Sequence, residues 1–147
     1  MVLGRRTARR QAVFLLYQQD LLKLYAEAAV KRQGGTIVDE YASRLMAGVT
    51  GRLSAIDEVL QEHLSGWNVA RLGILERAIL RVAAYELLFE SSVPAAVAID
   101  EAVALAKRFC SDEAGALVNG VLGSVVSSRD PRCAEDVAAS HQEGGEP

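Results

Sequence analysis

Four arginines with no acid among them, Arg5, Arg6, Arg9 and Arg10, stand at the start of the chain. On a helix, residues four apart are neighbours, so Arg5 with Arg9 and Arg6 with Arg10 form one continuous basic face. This pattern costs stability, because a helix N-terminus is already positive. A charge pattern that opposes the local fold indicates an anionic partner such as a nucleic acid. A solvated, frayed terminus is the alternative that composition leaves open.

The other reactive side chains form no catalytic or metal-binding pattern. The only histidines are His63 and His141, and the sequence has no paired-cysteine zinc spacing, phosphate-binding loop or dinucleotide fingerprint. The adjacent acids Asp100 and Glu101 point about 100° apart on a helix. We interpret them as first-turn residues that complement the helix dipole. We therefore expect a protein that is not an enzyme and that uses neither a metal ion nor a cofactor.

Composition narrows the class of protein further. Lysine and arginine total 16 against 19 aspartates and glutamates, so without the four N-terminal arginines the balance is 12 against 19. Positive charge is therefore local, which argues against a non-specific coat over DNA. The two cysteines, Cys110 and Cys133, do not suggest a disulfide scaffold. We expect no signal peptide, and the sequence has no apolar run of the ~20 residues that span a bilayer. These features favour a cytoplasmic protein without a membrane partner.

Helical periodicity covers most of the chain and predicts an all-α fold of six or seven helices with no sheet. The first helix is expected over about Arg5–Lys31. A second follows Thr36, which resembles an N-cap, with Asp39 in its first turn. Gly48 and Gly51 predict a break, and a further helix is expected to end before residue 65.

The second half has the most apolar segment. Ile74–Phe89 is apolar almost all round, which is typical of a central, buried helix. Ala96–Phe109 predicts an amphipathic helix, and Ser111 begins a last helix that reaches about Val126. A β-hairpin at the Asn119-Gly120 pair is the competing interpretation, although it would have no sheet to join. Residues 127–147 are polar and acidic and predict a disordered tail.

Aromatic residues on the apolar stripes are expected in the core. Tyr17 and Tyr85 lie on such stripes. Trp67 is predicted to anchor two bundles against each other, with a base-stacking platform as the alternative.

Several segments, taken in order, resemble the NusB transcription antitermination family. They are Arg5–Arg9 with Ala12–Tyr17, Ile79–Leu87, Val93-Pro94, Ile99–Val103, Ala106–Phe109 and Val118–Leu122. The resemblance implies one domain over residues 1–126, built from two packed three-helix bundles at about 5–66 and 67–126. It also implies an RNA-binding adaptor that binds boxA-like single-stranded RNA together with the ribosomal protein NusE. Such a protein acts on the RNA polymerase elongation complex and supports ribosomal RNA transcription.

The resemblance also assigns roles to individual residues. The expected RNA-binding residues are Arg5, Arg6, Arg9, Phe109 and Glu113. Arg10 extends the basic patch without a family counterpart, and Glu76 matches an acid that meets NusE. Phe109 could stack an unpaired base, whereas Glu113 could accept a hydrogen bond from a base edge.

One departure from the family pattern concerns the RNA-binding face. Many relatives have Lys-Phe immediately before the Val-Asn-Gly segment, where this chain has Ala116 and Leu117. A helical interaction scaffold or homodimer with weakened RNA binding is therefore the alternative function. A methyltransferase-associated RNA-binding domain is less favoured, because the chain has no cofactor loop and its only later cysteine is Cys133.

Overall fold

A computed structural model describes residues 4–22 and 38–128. These residues form six α-helices and one short 3-10 turn. The helices are α1 (Arg5–Leu22), α2 (Glu40–Gly51), α3 (Leu53–Glu62), α4 (Ile74–Phe89), α5 (Ala95–Phe109) and α6 (Asp112–Ser127), with the 3-10 turn at Val69–Arg71. The described residues contain no strand, so the all-α prediction is confirmed and the segment around Asn119-Gly120 is helical. The predicted tail of residues 127–147 begins too early, because Ser127 ends α6 and Ser128 is its C-cap. Residues from 129 onward lie outside the described part.

The start of α2 differs from the prediction. Val38 and Asp39 are not helical, and Asp39 is the N-cap, whose carboxylate accepts a 2.8 Å hydrogen bond from the Tyr41 backbone N–H. The Asp39 N–H in turn donates to Gln11 Oε1 on α1 at 3.0 Å. Placing Thr36 at the cap was therefore wrong, because Asp39 caps the helix and ties it to α1. Residues 23–37, where α1 was expected to continue, lie outside the described part.

Helix α4 occupies the centre of the fold. It packs against α1, α2, α3, α5 and α6, and ten of its sixteen residues are buried. Its all-round apolar pattern therefore predicted its position correctly. The main hydrophobic core is continuous from Ala8 on α1 to Leu122 on α6. The division into two bundles near residue 66 remains a prediction.

The break predicted at Gly48 and Gly51 occurs at Arg52, directly after Gly51, whereas Gly48 lies within α2. The expectation that Trp67 is a buried anchor was wrong. Trp67 is 54% exposed instead of buried between bundles. It follows Gly66, whose φ of 76° turns the chain, and Gln61 Nε2 donates a 2.8 Å hydrogen bond to the Trp67 carbonyl. The turn therefore directs the indole away from the core.

Gly48 is required by close packing between α2 and α4. A Cβ at this position would lie 2.3 Å from the Tyr85 ring. The ring cannot easily shift, because Tyr85 is buried and its hydroxyl donates to Glu90 Oε2 at 2.8 Å. We expect Gly48→Ala to cost about 1–3 kcal/mol of folding free energy, as overpacked cores do. Chemical denaturation measures this. The matched variant is Gly51→Ala at the end of the same helix, where a Cβ meets nothing within 4 Å. Equal stability of the two variants would contradict the packing argument.

Two further features of the described residues bear on function. None of the described helices is long and apolar enough to cross a membrane. The same residues contain no group of three or more histidine, cysteine or acidic side chains arranged to hold a metal ion.

Candidate nucleic-acid interface

A groove between α1 and α5 brings together several of the predicted RNA-binding residues. Both helices pack on α4, and they run in the same direction: Arg6 lies beside Glu101, and Phe14 lies beside Phe109. The groove is lined from α1 by Arg6, Thr7 and Arg10, and from α5 by Asp100, Glu101, Ala104, Leu105 and Arg108. Three arginines thus share one groove, although they come from segments about 100 residues apart.

One end of the groove is closed by an ion pair. Arg6 Nε donates to both Glu101 oxygens, at 3.0 and 3.1 Å, and the Arg6 side chain remains 82% exposed. Glu101 and Asp100 lie beyond the first turn of α5, which begins at Ala95 and has no acid there. Our interpretation of these acids as dipole complements was therefore wrong, and Glu101 instead holds a predicted RNA-binding arginine.

Arg9 does not belong to this surface. Its side chain is 7% exposed, and its Nε donates to both oxygens of Glu86 on α4, at 2.9 and 2.8 Å. The four arginines therefore do not form one basic face, and the expectation that Arg9 contacts RNA does not match its position. Val13 is also buried, and position 9 continues its stripe one turn earlier, which turns Arg9 toward the core.

A buried polar network surrounds that ion pair. Tyr41 Oη donates to Glu86 Oε2 at 2.5 Å, and Glu90 accepts from Tyr85 Oη and, at 2.6 Å, from Arg44 Nε. Burial raises the pKa of the Glu86 carboxyl, although Tyr41 and Arg9 act in the opposite direction. Burial, and then the Glu86 carboxylate, raise the pKa of Tyr41. The network ties α1 and α2 to α4 and has a structural role.

The other two N-terminal arginines are accessible. Arg5 is exposed, and its guanidinium carbon lies 3.9 Å from the centroid of the Tyr41 ring. Arg10 is partly buried, faces the groove, and makes no ion pair with any residue in the described ranges. Arg5 is thus oriented by stacking on Tyr41. The Arg10 charge is not neutralised by an acid of the described residues and can interact with an anionic ligand.

Phe14 and Phe109 lie just beyond the lining residues Arg10 and Arg108, and we call this pair the aromatic end of the groove. Phe109 is 37% exposed, and its ring is edge-to-face with Phe14 at a centroid distance of 5.0 Å and an interplanar angle of 88°. The Arg108 guanidinium lies 5.0 Å from the Phe109 centroid. Phe109 is therefore an accessible ring held in a defined orientation, as a base-stacking role requires.

Glu113 lies close to Phe109 in sequence but in a different setting. It is exposed in the first turn of α6, which Ser111 caps by accepting a 3.0 Å hydrogen bond from the Ala114 N–H. An acid there interacts favourably with the helix dipole, so a structural role accounts for Glu113 without any contact to RNA. Ala116 is exposed, whereas Leu117 is partly buried against the core.

Glu76, the expected NusE contact, lies in the first turn of α4 and is partly buried. A Cβ added at the N-cap Gly73 would lie 3.3 Å from Glu76 Oε1, so the carboxylate folds back over the helix start. Burial, and then the Glu76 charge, raise the pKa of Cys110. The Glu76 charge therefore acts on Cys110, the residue that directly follows α5.

Two residues of this surface did not emerge from the sequence as site residues: Arg108, which lines the groove, and Phe14, which contacts Phe109. The sequence could have identified Phe14, because Arg6, Arg10 and Phe14 are spaced four residues apart and so share one face of α1. Arg108 carried no such signal, because only the packing of α5 beside α1 brings it to the groove.

Comparison with known proteins places this architecture in a family. The NusB family model matches residues 6–127. Curated proteins named transcription antitermination protein NusB are similar to the chain. The protein from Bifidobacterium longum subsp. infantis is 39% identical over 142 residues, covering 93% of this chain and 76% of its own. The protein from Saccharopolyspora erythraea is 44% identical over 135 residues, covering 86% and 89%.

Solved structures agree with the sequence relatives. NusB of T. maritima superposes with a TM-score of 0.75 at 32% identity, covering 86% of this chain and 93% of that one. A chain from the crystal structure of antitermination factors NusB and NusE in complex with dsRNA superposes with a TM-score of 0.73 at 28% identity, covering 84% and 96%. Given the matched family model and relatives of this identity and coverage, the chain belongs to the NusB family of transcription antitermination proteins.

Proposed function

We propose that this protein binds boxA-like single-stranded RNA along the α1/α5 groove, together with NusE, as an adaptor without turnover. In this role it acts on the RNA polymerase elongation complex and supports ribosomal RNA transcription. The observation that carries the proposal is the groove itself, in which Arg6, Arg10 and Arg108 lead to the exposed Phe109 ring. Cations attract the phosphates, and a held aromatic ring stacks an unpaired base.

The solved assembly of NusB and NusE with dsRNA supports RNA and NusE as partners. It also raises the question of which form of RNA this chain prefers. The aromatic end of the groove favours a single strand, because a base that remains paired and stacked in a duplex cannot lie on Phe109.

A titration of the protein with fluorescent RNA tests the proposal. We expect boxA-like single-stranded RNA to bind more tightly than either its duplex or a scrambled single strand, and NusE to strengthen binding further. Fluorescence anisotropy measures the affinities at several salt concentrations. Absence of RNA binding, with NusE still bound, would overturn the RNA-binding proposal in favour of an interaction scaffold. Analytical ultracentrifugation of the same sample tests the homodimer that was the structural alternative.

Action on RNA polymerase requires its own measurement. We expect the protein and NusE together to increase read-through of a terminator placed downstream of a boxA-like element in a purified transcription reaction. The same template without that element is the control. Equal read-through on both templates would contradict the antitermination role.

Glu76 is the proposed contact with NusE. We expect Glu76→Lys to weaken NusE binding about tenfold or more, mainly by slowing association, since a charge at the rim of an interface acts through steering. Surface plasmon resonance at low and high salt measures this. Glu76→Gln is the matched variant, because an amide keeps the size and polarity of the side chain and removes only its charge.

The loss of affinity for NusE should follow the change in charge, so Glu76→Lys should bind NusE more weakly than Glu76→Gln. Both variants should remain folded. Glu58→Lys, an exposed reversal on α3, controls for the overall charge of the protein. If Glu76→Lys and Glu58→Lys changed NusE association equally, the NusE contact would lie elsewhere.

A further inference from the structure

The α1/α5 groove has two chemically different ends at a defined separation. Arg6 and Phe14 are eight residues apart on α1, and so are Glu101 and Phe109 on α5, which corresponds to about 12 Å along each helix. The ion pair of Arg6 with Glu101 closes one end, and the paired phenylalanines form the other. A ligand that fills this groove therefore contacts charged side chains at one end and an aromatic surface at the other end, about two helical turns away.

The aromatic end is a rigid cluster that includes more than Phe109. Phe14 packs edge-to-face on Tyr17 at a centroid distance of 6.3 Å and on Phe109 at 5.0 Å. Tyr17 packs against the hydrophobic core and so anchors the cluster. Phe14 thus fixes the orientation of Phe109 from a different helix, and an accessible ring that is already ordered loses little entropy when a ligand stacks on it.

Two unpaired arginines flank this cluster. Arg10 and Arg108 both line the groove, and neither forms an ion pair within residues 4–22 and 38–128. Arg108 extends the aromatic cluster with its guanidinium over Phe109, and a guanidinium plane can itself stack on a base. Asp100 and Glu101 line the same groove, and Glu101 is engaged by Arg6.

We propose that Phe14, Phe109 and Arg108 form one platform for a single unpaired base of the RNA, with Arg10 at the phosphate beside it. Phe109 and Arg108 contact the base, and Phe14 is a positioning residue that holds the Phe109 ring. The inference rests on the proposed RNA-binding function and adds to it the place in the groove where one nucleotide is read.

The test asks whether a change in the protein and the removal of one particular base of the RNA affect the same contact. The probes are a boxA-like single strand and a series of the same strand in which each nucleotide in turn lacks its base. We expect removal of one base to weaken binding about five- to tenfold, at the lower end of base–aromatic stacking. Phe14→Leu should weaken binding of the intact strand by a similar factor, and the same base removal should then have no further effect. Phe14→Trp keeps a ring and should retain most of the binding.

Arg108→Gln gives a second, independent readout. Arg108 is exposed and lies outside the core, so this variant is expected to keep its thermal midpoint and still lose the coupling to the same base. Circular dichroism melts of all variants separate folding from binding. The losses of binding free energy from base removal and from Phe14→Leu could instead add at every position, and those from base removal and Arg108→Gln could do the same. That result would overturn the platform but not the proposal that the protein binds RNA. If the unmodified chain bound none of the RNA strands, the proposed function itself would fail.

Discussion

Replacing Arg9 with alanine is expected to cost about 3–5 kcal/mol of folding free energy, because it leaves a buried carboxylate without its cation. Glu86 is 1% exposed, and Arg9 supplies two of its hydrogen bonds. Urea denaturation followed by circular dichroism measures the loss. Arg10→Ala is the matched variant: it removes the same charge from the next residue, which has no ion pair in the described structure, and should stay within about 0.5 kcal/mol of the unmodified chain.

The pH dependence of the Arg9 variant gives a second signature. Burial raises the pKa of Glu86 and Arg9 opposes that rise, so the folded pKa of this carboxyl should increase further in Arg9→Ala. A group whose pKa is raised by folding favours the folded state below its unfolded pKa, and that contribution is lost as pH rises through the folded pKa. The variant should therefore be less destabilised at about pH 5 than at about pH 8. A loss that is independent of pH, or as small as that of Arg10→Ala, would contradict the structural role of Arg9.

Removing the two groove arginines of α1 is expected to have the largest effect on RNA binding. Each phosphate contact contributes about 0.7 to the slope of log affinity against log salt for a single strand, so Arg6→Ala/Arg10→Ala should lower the slope by about 1.4. At about 0.1 M salt this corresponds to roughly 25-fold weaker binding. Anisotropy titrations over a range of salt concentrations measure both quantities. The fold should be retained, because neither arginine is part of the core.

Arg52 provides the control for charge. It is exposed and stacks on Phe89, on the side of α4 that faces α3, away from the groove. Arg52→Ala removes one positive charge and should leave the salt slope unchanged, whereas Arg10→Ala alone should lower it by about 0.7. If the two single variants changed the slope equally, the arginines would act through overall charge and not through contacts in the groove.

Local sequence patterns predicted the helices well because each helix depends on its own residues. Ile74–Phe89 was bounded correctly, since its mainly apolar helical pattern begins after Gly73 and stops before Ser91. The cap at Ser111 was also readable, because the Ser-Asp-Glu sequence satisfies the first N–H groups of α6 locally. The start of α2 was predicted too early, because the cap is Asp39, which accepts a hydrogen bond from the helix and is also bonded to α1.

The sequence by itself determined the all-α class, the buried central helix and a basic start that suggests an anionic partner. Only the tertiary structure decided which arginines remain available. Arg9 is neutralised by Glu86, 77 residues away, and Arg108 joins Arg10 because α1 and α5 pack side by side on α4. Helix periodicity depends on neighbours three or four residues apart, whereas a binding surface depends on pairings between distant segments. Those pairings are set by packing on α4, and so the groove could not be read from any one segment.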